Sequence, residues 1–266
     1  MSDRQGRITF IQEAERLKTE HARKPGGAPP FMACTALKVT EAGVVLFAQH
    51  RDRLAKAGGW AREALARFAL VAQPGCYTLT AAEGELRVEV RPDSRLVDGM
   101  PVRTARSPVA GGREPIPKPP RPSSYDPLRV PGLVTLLTSA DGTEILEACS
   151  SAVVGWDGRS LVFPPLDRPR VWSTSEQAIR AHLPFREAPL AASGGLALLL
   201  VNAIKGTCTI QVPGRPPFPQ EVRAGIDAVF IAETARSLCT AAPARDQQTL
   251  LTSNLLSRLR HFIGAL

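Results

Sequence analysis

The stretch Asp141–Asp167, DGTEILEACSSAVVGWDGRSLVFPPLD, places two Asp-Gly turn signals around one isolated carboxylate, Glu147. The Asp-Gly pairs at 141–142 and 157–158 each lie between apolar runs, and glycine supplies the positive φ that a tight turn demands. This spacing predicts a three-stranded meander. A carboxylate inside an otherwise apolar strand is costly unless a cation or a hydrogen-bond donor meets it. Glu147 is therefore a candidate functional residue, and the alternative is an edge-strand Glu that faces water.

The order of elements in this stretch resembles the fold-type IV pyridoxal phosphate enzymes, also called class IV aminotransferases. Matches to the family pattern of turns, strands, Glu, hydroxyl residues and a Pro-Pro pair fall at Gly142, Glu147, Ser150, Ser151, Gly158, Pro164 and Pro165. The family contains branched-chain and D-amino acid aminotransferases and aminodeoxychorismate lyase. The resemblance implies that Glu147 pairs with the protonated pyridine nitrogen of pyridoxal 5'-phosphate, which keeps the ring of this cofactor an electron sink.

An N-terminal segment, Ala33–Gly58, resembles the family's first strand pair and helix. His50, Arg53 and Leu54 occupy the positions of its H-x-x-R-L motif. The resemblance implies that Arg53 reaches the cofactor phosphate, for which a guanidinium fork is well shaped. The alternative is that Arg53 belongs only to the solvated face of a helix.

Two later segments follow in the family's order. Arg170–Arg180 stands where the family has a loop that opens a helix and binds phosphate, and its good N-cap residues are Ser173, Thr174 and Ser175. The amides of a helix's first turn form an anion site, although any helix could begin with such residues. Val201–Ile210 resembles the family segment that contacts phosphate and substrate, with matches at Asn202, Ala203 and Gly206.

The candidate catalytic residue is Lys118, the one lysine between Arg95 and Glu147. The resemblance implies a lysine that holds the cofactor as a Schiff base and acts as acid and base at the substrate α-carbon. Lys118 precedes Glu147 by 29 residues, a slightly short spacing, and Tyr125 stands for the family's tyrosine beyond the lysine. The surrounding prolines favour an extended, semi-rigid linker. Lys118 is therefore either a working Schiff-base residue or an exposed linker lysine in a degenerate relative.

The composition is that of an ordinary globular protein, with 266 residues, 44% of them hydrophobic and 22% charged. No apolar run reaches the length of a membrane span, and the first residues, MSDRQGRITF, contain no apolar core of a secretory signal. The five cysteines are scattered, and the four histidines do not cluster with them, which argues against a zinc site. We expect a cytoplasmic protein with no metal and no membrane partner.

The net charge of +8 raises nucleic acid as a partner, since phosphates attract Lys and Arg irrespective of sequence. The basic residues are spread along the whole chain, however, and only 5% of residues are aromatic and able to stack on bases. We therefore expect no nucleic acid partner. A basic cleft for small anions, such as a phosphorylated cofactor and dicarboxylate substrates, also suits this charge.

Composition and periodicity divide the chain into four parts. These are a helical extension at 1–30, a small α/β domain at 31–108, a proline-rich linker at 109–131 and a larger α/β domain with C-terminal helices at 132–266. In the first domain we expect a helix near 50–71 and strands near 34–40, 43–48, 76–81, 85–91 and 101–107. In the second we expect the meander, a helix from about Thr174, strands at 196–202 and 207–212, and helices at 220–239 and 246–264.

These patterns predict a two-domain α/β (α+β) protein, and the resemblance implies the D-amino acid aminotransferase-like fold. The resemblance implies pyridoxal 5'-phosphate at the domain interface, with its phosphate bound by Arg53, Thr174, Ser175, Asn202 and Ala203. The implied reaction is amino transfer from an amino acid to a 2-oxo acid, or removal of pyruvate from aminodeoxychorismate. Family members are usually dimers, so we expect a homodimer. The alternative is a catalytically inactive relative that acts as a binding or assembly protein.

Overall fold

The computed structural model describes residues 32–92, 97–109, 116–118 and 123–241, with side chains up to residue 234. Within these ranges the chain forms four α-helices and thirteen strands. The helices are α1 (Phe47–Leu54), α2 (Gly59–Val71), α3 (Thr174–His182) and α4 (Gln220–Ala241). The strands are β1 (Ala33–Thr40), β2 (Gly43–Val44), β3 (Gly75–Ala82), β4 (Glu85–Arg91), β5 (Val102–Arg106), β6 (Val134–Thr138), β7 (Glu144–Ala148), β8 (Ala152–Trp156), β9 (Leu161–Phe163), β10 (Phe185–Glu187), β11 (Leu190–Ala191), β12 (Ala197–Asn202) and β13 (Gly206–Thr209).

The strands build three sheets, which makes the architecture a mixed α/β one. The first sheet has the order β2-β1-β3-β4 and is antiparallel throughout. The second has the order β10-β9-β8-β12-β13, and the third has the order β11-β7-β6-β5. Strands β9 and β10 are parallel, as are β5 and β6.

The turn signals around residues 133–163 produce four strands, and the predicted three-stranded meander is wrong. Strands β6 and β7 pair in the third sheet, whereas β8 and β9 pair in the second. The chain changes sheets at a tight turn, where the backbones of Ala148 and Ser151 exchange hydrogen bonds of 2.9 and 3.3 Å. Residues 145–148 and 152–155 are buried on both faces, so no alternation of polarity marks the change of partner.

The helix predicted near 50–71 is two helices. Helix α1 begins directly after Leu46, whose φ of 56° is left-handed, and the strand predicted at 43–48 is therefore only two residues long. A 3-10 turn, Ala55–Ala57, and Gly58 with a φ of 132° then separate α1 from α2. Glycine suits that position because other residues rarely adopt such a φ.

Most of the other predicted helices and strands are present in the structure. The strands near 34–40, 76–81, 85–91, 101–107 and 196–202 and the helices from Thr174 and at 220–239 are confirmed within two residues. The strand predicted at 207–212 ends early, at Thr209. The extension at 1–30 and the helix at 246–264 lie outside the described residues, and the division into two domains remains a prediction.

Apolar side chains fill three clusters that hold these layers together. The first lies between the first sheet and helices α1 and α2, and includes Leu37 and Phe68. The second packs α3 and α4 on one face of the second sheet, and the third joins the other face to the third sheet. Successive side chains of β8 point to opposite faces of the second sheet, since Val154 belongs to the second cluster and Val153 to the third. In the described ranges, no helix is both long and apolar enough to cross a membrane.

Candidate functional site

A cavity of about 340 Å³ lies where the first sheet meets the turn between β7 and β8 and the start of α3. Its volume is in the range of small-molecule sites. Seven of the eight site residues predicted from the sequence line it, namely Arg53, Lys118, Glu147, Ser173, Thr174, Asn202 and Ala203. The eighth, Ser175, is fully buried in the first turn of α3 and is not part of the cavity wall.

Lys118 reaches the cavity because the chain before it is tied to the segment that precedes α3. The Ile116 amide donates to the Arg170 carbonyl at 2.9 Å, and Ile116 forms a parallel β-bridge with Val171. This pairing orders the chain next to Lys118 despite the neighbouring prolines. Burial lowers the pKa of the Lys118 amine to about 7, and so do the charges of Arg53, Arg91 and Arg129. Near neutral pH such a lysine is partly a free amine, the form that a nucleophile requires.

Glu147 lies in β7 with its carboxylate buried, so the alternative of an edge-strand Glu facing water is wrong. Its Oε1 accepts a hydrogen bond of 3.0 Å from the Tyr125 hydroxyl and one of 3.2 Å from the Val171 amide. Burial raises the pKa of Glu147 to about 7, although both hydrogen bonds and the charge of Arg170 oppose the rise. A cation placed beside this carboxylate would therefore favour its ionised form.

Tyr125, which the sequence suggested only as a match to the family's tyrosine, lies beside Glu147 in the structure. It is buried, and its pKa is raised by burial and by the neighbouring Glu147 charge, so the phenol remains protonated and donates to that carboxylate. The spacing of seven residues from Lys118 had suggested the family's tyrosine only loosely. Its contact with Glu147 depends on tertiary packing.

Another part of the cavity wall is built by Arg53 and the start of α3. The Arg53 Nη2 donates a hydrogen bond to the carbonyl of Trp172, the residue just before Ser173, which is the N-cap residue of α3. This contact places the guanidinium beside the start of the helix. Ser173 makes no side-chain capping bond, and the first-turn amides of a helix have no carbonyl partners within it. Amides and a guanidinium together suit an anion. Burial also lowers the pKa of Arg53, to about 10.

A buried ion pair fixes where α3 begins. The Arg170 guanidinium donates to both carboxylate oxygens of Glu176, at 2.5 and 2.7 Å, and to the Pro164 carbonyl at 2.7 Å. Arg170 and Glu176 are almost fully buried. Since a broken buried pair leaves an uncompensated charge, this bidentate contact holds the helix start in one position. The same pair also holds the backbone of the segment whose Val171 amide reaches Glu147.

The turn after β12 closes the cavity on a further side. The Asn202 Oδ1 accepts hydrogen bonds from the amides of Ile204 and Lys205, at 2.8 and 3.1 Å, and its Nδ2 donates to the Ser150 carbonyl. The Asn202 side chain thus shapes this turn and ties it to the turn between β7 and β8. Ala203 is buried in the wall.

Basic residues beyond Arg53 and Lys118 also line the wall, and two of them, Arg91 and Arg129, were not predicted from the sequence. Arg91, Arg129 and Lys205 line the cavity together with Arg53 and Lys118, and the one acidic residue among the lining residues is Glu147. Arg91 in β4 and Arg129 after the 3-10 turn at 126–128 lie outside every motif found in the sequence, so no local signal identified them. Their combined field favours an anionic ligand. Among the described residues, no group of His, Cys, Asp and Glu is arranged to hold a metal ion.

No family model matches the chain, and no curated protein matches its sequence. Solved structures do match. A hypothetical aminotransferase from Mycobacterium tuberculosis in its PLP-bound form is 19% identical, with 79% of this chain and 96% of that chain covered and a TM-score of 0.56. The α-ketoglutarate and PMP bound form of a hypothetical aminotransferase from the same organism is 18% identical over the same shares, at a TM-score of 0.57.

The 4-amino-4-deoxychorismate lyase from Pseudomonas aeruginosa also matches, at 14% identity and a TM-score of 0.50, with 77% of this chain and 98% of that chain covered. These neighbours have the fold of the fold-type IV pyridoxal phosphate enzymes. The chain therefore has the class IV aminotransferase-like fold that its sequence predicts.

Proposed function

We propose that the cavity binds pyridoxal 5'-phosphate and that the chain acts either on an amino acid and 2-oxo acid pair or, as a lyase, on aminodeoxychorismate. One observation carries the proposal. A lysine amine, a buried carboxylate and an arginine beside a helix start line one cavity, although they come from separate parts of the chain. These groups are Lys118, Glu147, and Arg53 with the start of α3.

The residues present fit this cofactor at both of its ends. Arg53 and the first-turn amides at Thr174 suit a phosphate, while the buried Glu147 suits a protonated ring nitrogen. The Ser151 hydroxyl adds support, because it is buried in the same wall and has no hydrogen-bond partner among the described residues. A polar ligand atom would satisfy it.

Pyridoxal 5'-phosphate would supply an electron sink for the bonds at the α-carbon of an amino acid. The chain's own residues would do the rest. Tyr125 and the Val171 amide hold the Glu147 carboxylate in place, so that its charge stays at the ring end of the site. The Lys118 amine would hold the cofactor covalently and move a proton at the substrate α-carbon, tasks that a pKa near neutrality suits.

The second candidate is a catalytically inactive relative that keeps the fold for binding or assembly. The observation that favours it is the proline-rich stretch around Lys118, with prolines at 115, 117, 119, 120 and 122. A lysine that serves as acid and base normally sits on an element whose packing fixes its amine. The short β-bridge at Ile116 is the main such contact in the described part of this segment.

Borohydride trapping separates the two candidates. Wild type, Lys118→Ala and the control Lys56→Ala, which removes an exposed lysine in the 3-10 turn after α1, are saturated with pyridoxal 5'-phosphate, reduced and digested. We expect a yellow wild type and a yellow control, each with a phosphopyridoxyl group on Lys118 by mass spectrometry, and a colourless Lys118→Ala. A folded wild type that carries no adduct on Lys118 would favour the inactive relative.

Oligomeric state and substrate class are proposed from the family resemblance, and location and the absent partners from the composition. A homodimer is proposed, acting on small-molecule amino acids or 2-oxo acids in the cytoplasm without nucleic acid or membrane partners. The excess of cations in the cavity supports anionic ligands.

A further inference from the structure

Four consecutive residues, Arg170–Ser173, connect the groups that the candidate site brings together. The carbonyl of the first residue accepts a hydrogen bond of 2.9 Å from the Ile116 amide, two residues before Lys118. The next amide, that of Val171, donates a hydrogen bond of 3.2 Å to the Glu147 carboxylate. The position of the lysine relative to the carboxylate therefore depends on this half of the segment.

The other half of the segment meets the part of the wall that Arg53 forms. The Trp172 carbonyl accepts a hydrogen bond from the Arg53 guanidinium, and Ser173 is the N-cap residue of α3. Covalent bonds hold successive Cα atoms about 3.8 Å apart. A displacement of the segment 170–173 would therefore disturb its contacts with the lysine segment, the carboxylate and the guanidinium at the same time.

The side chain of Arg170 anchors this segment in the protein interior. Its guanidinium donates to both carboxylate oxygens of Glu176, at 2.5 and 2.7 Å, and to the Pro164 carbonyl. Glu176 also accepts a hydrogen bond of 2.8 Å from the Arg180 Nε. Arg170 is 1% exposed and Glu176 is fully buried, and neither residue lines the cavity. The pair therefore contacts the site only through the segment that it anchors.

Stability alone does not account for this ion pair. Apolar side chains of similar volume often replace a buried ion pair at no cost in stability, because no charge then has to lose its hydration. The Arg170 Nε is also buried without a hydrogen-bond partner among the described residues, which adds a cost. What the pair supplies is direction, since the bidentate contact of a planar guanidinium with a carboxylate has a well-defined geometry.

We propose that Arg170 and Glu176 are positioning residues of the candidate site. Their bidentate contact holds the segment 170–173 in the position from which it contacts the lysine segment, the carboxylate and the guanidinium of the wall. This role rests on the proposed function, in which these three groups hold one cofactor. It adds two residues to the site that the sequence did not predict as site residues.

The pH profile of the Lys118 amine reports its position without any cofactor. Competitive labelling with acetic anhydride, followed by mass spectrometry of the peptide that contains residue 118, gives the midpoint at which this amine loses its proton. Burial lowers the pKa of the amine to about 7 in wild type, which sets the expected midpoint. In Arg170→Met and Arg170→Lys the midpoint should rise by about one pH unit or more, because an amine that leaves its buried position ionises as a solvated lysine does. The lysine variant keeps the charge at residue 170 and loses only the bidentate contact.

Arg168 provides a matched control two residues earlier in the chain. It makes a bidentate contact with Glu144, at 2.8 and 3.2 Å, but the two side chains are 30% and 22% exposed. Arg168→Met should leave the midpoint unchanged, since an ion pair open to water contributes little. An equal rise in Arg168→Met would contradict the proposal, because the loss of any nearby ion pair would then suffice.

The double variant Arg170→Met/Glu176→Leu covers the case of single variants that fail to fold. Apolar residues of similar volume should preserve the fold, which thermal unfolding checks, although the segment loses its bidentate anchor. We expect a raised midpoint and, by titration, an affinity for pyridoxal 5'-phosphate that falls roughly tenfold or more, as for a lost hydrogen bond to a charged group.

The two measurements separate this role from the proposed function. A folded double variant with the wild-type midpoint would overturn the positioning role, whatever its affinity for the cofactor. A raised midpoint in a chain whose wild type does not bind pyridoxal 5'-phosphate would support the positioning role and reject only the proposed function.

Discussion

Ionisation of Glu147 gives the fold a distinctive pH dependence. Burial raises the pKa of this carboxyl from an ordinary value of 4.5 to about 7. A group that binds its proton more tightly in the folded state stabilises the fold at low pH, and this contribution is lost as the pH rises through the folded pKa. At about 1.4 kcal/mol per pKa unit, the shift corresponds to roughly 3 kcal/mol, most of which is lost between about pH 5 and pH 8.

Glu147→Gln removes this titration with little change of shape. The glutamine oxygen can still accept from Tyr125 and Val171. We expect the free energy of unfolding of the cofactor-free variant to gain about 2–3 kcal/mol relative to wild type between about pH 5 and pH 8. Urea unfolding followed by tryptophan fluorescence measures it.

Glu63→Gln, on the exposed face of α2, provides the matched control, and its difference from wild type should not change with pH. If Glu147→Gln also differed from wild type by the same free energy at both pH values, the carboxyl would not be buried as described, and the reasoning would be refuted. With bound cofactor the gain should shrink, because a ring cation stabilises the ionised carboxylate.

Three further predictions concern the cavity. Arg53→Ala should weaken binding of pyridoxal 5'-phosphate, measured by titration, by ~1.5–3 kcal/mol, the usual scale for a hydrogen bond to a charged group. The control Arg51→Ala, on the same helix, should leave the affinity unchanged. The rate of covalent attachment to the Lys118 amine should rise with pH through about 7 and then level off, and a rate that keeps rising up to the range of an ordinary lysine would contradict the lowered pKa. Tyr125→Phe removes a donor to Glu147 and should raise the pKa of this carboxyl further, so that the loss of stability with pH continues to higher pH in the unfolding assay.

Local signals in the sequence were enough for many elements of the fold. The Asp-Gly pairs at 141–142 and 157–158 predicted turns, and the structure has positive φ at Gly142 and Gly158. The apolar runs at 134–138 and 161–163 became strands, because turn chemistry and β-propensity act over a few residues.

The sequence also named residues that the structure brings together, although their roles remain predictions. Arg53, Lys118, Glu147 and Thr174 are far apart in the chain and line one cavity. The order of the motifs predicted that these residues line one cavity, because proteins with the same fold bring the same chain segments to the same site. Their charges and hydrogen bonds could not be read from that order.

Tertiary structure alone decided which strands share a sheet and which charges share the cavity. The split between β7 and β8 had no local signal, since both strands are buried on both faces. The position of Lys118 depends on the pairing of Ile116 with Val171, over 50 residues later. The lowered pKa of Lys118 and the raised pKa of Glu147 depend on burial, a property of packing that no short segment of sequence carries.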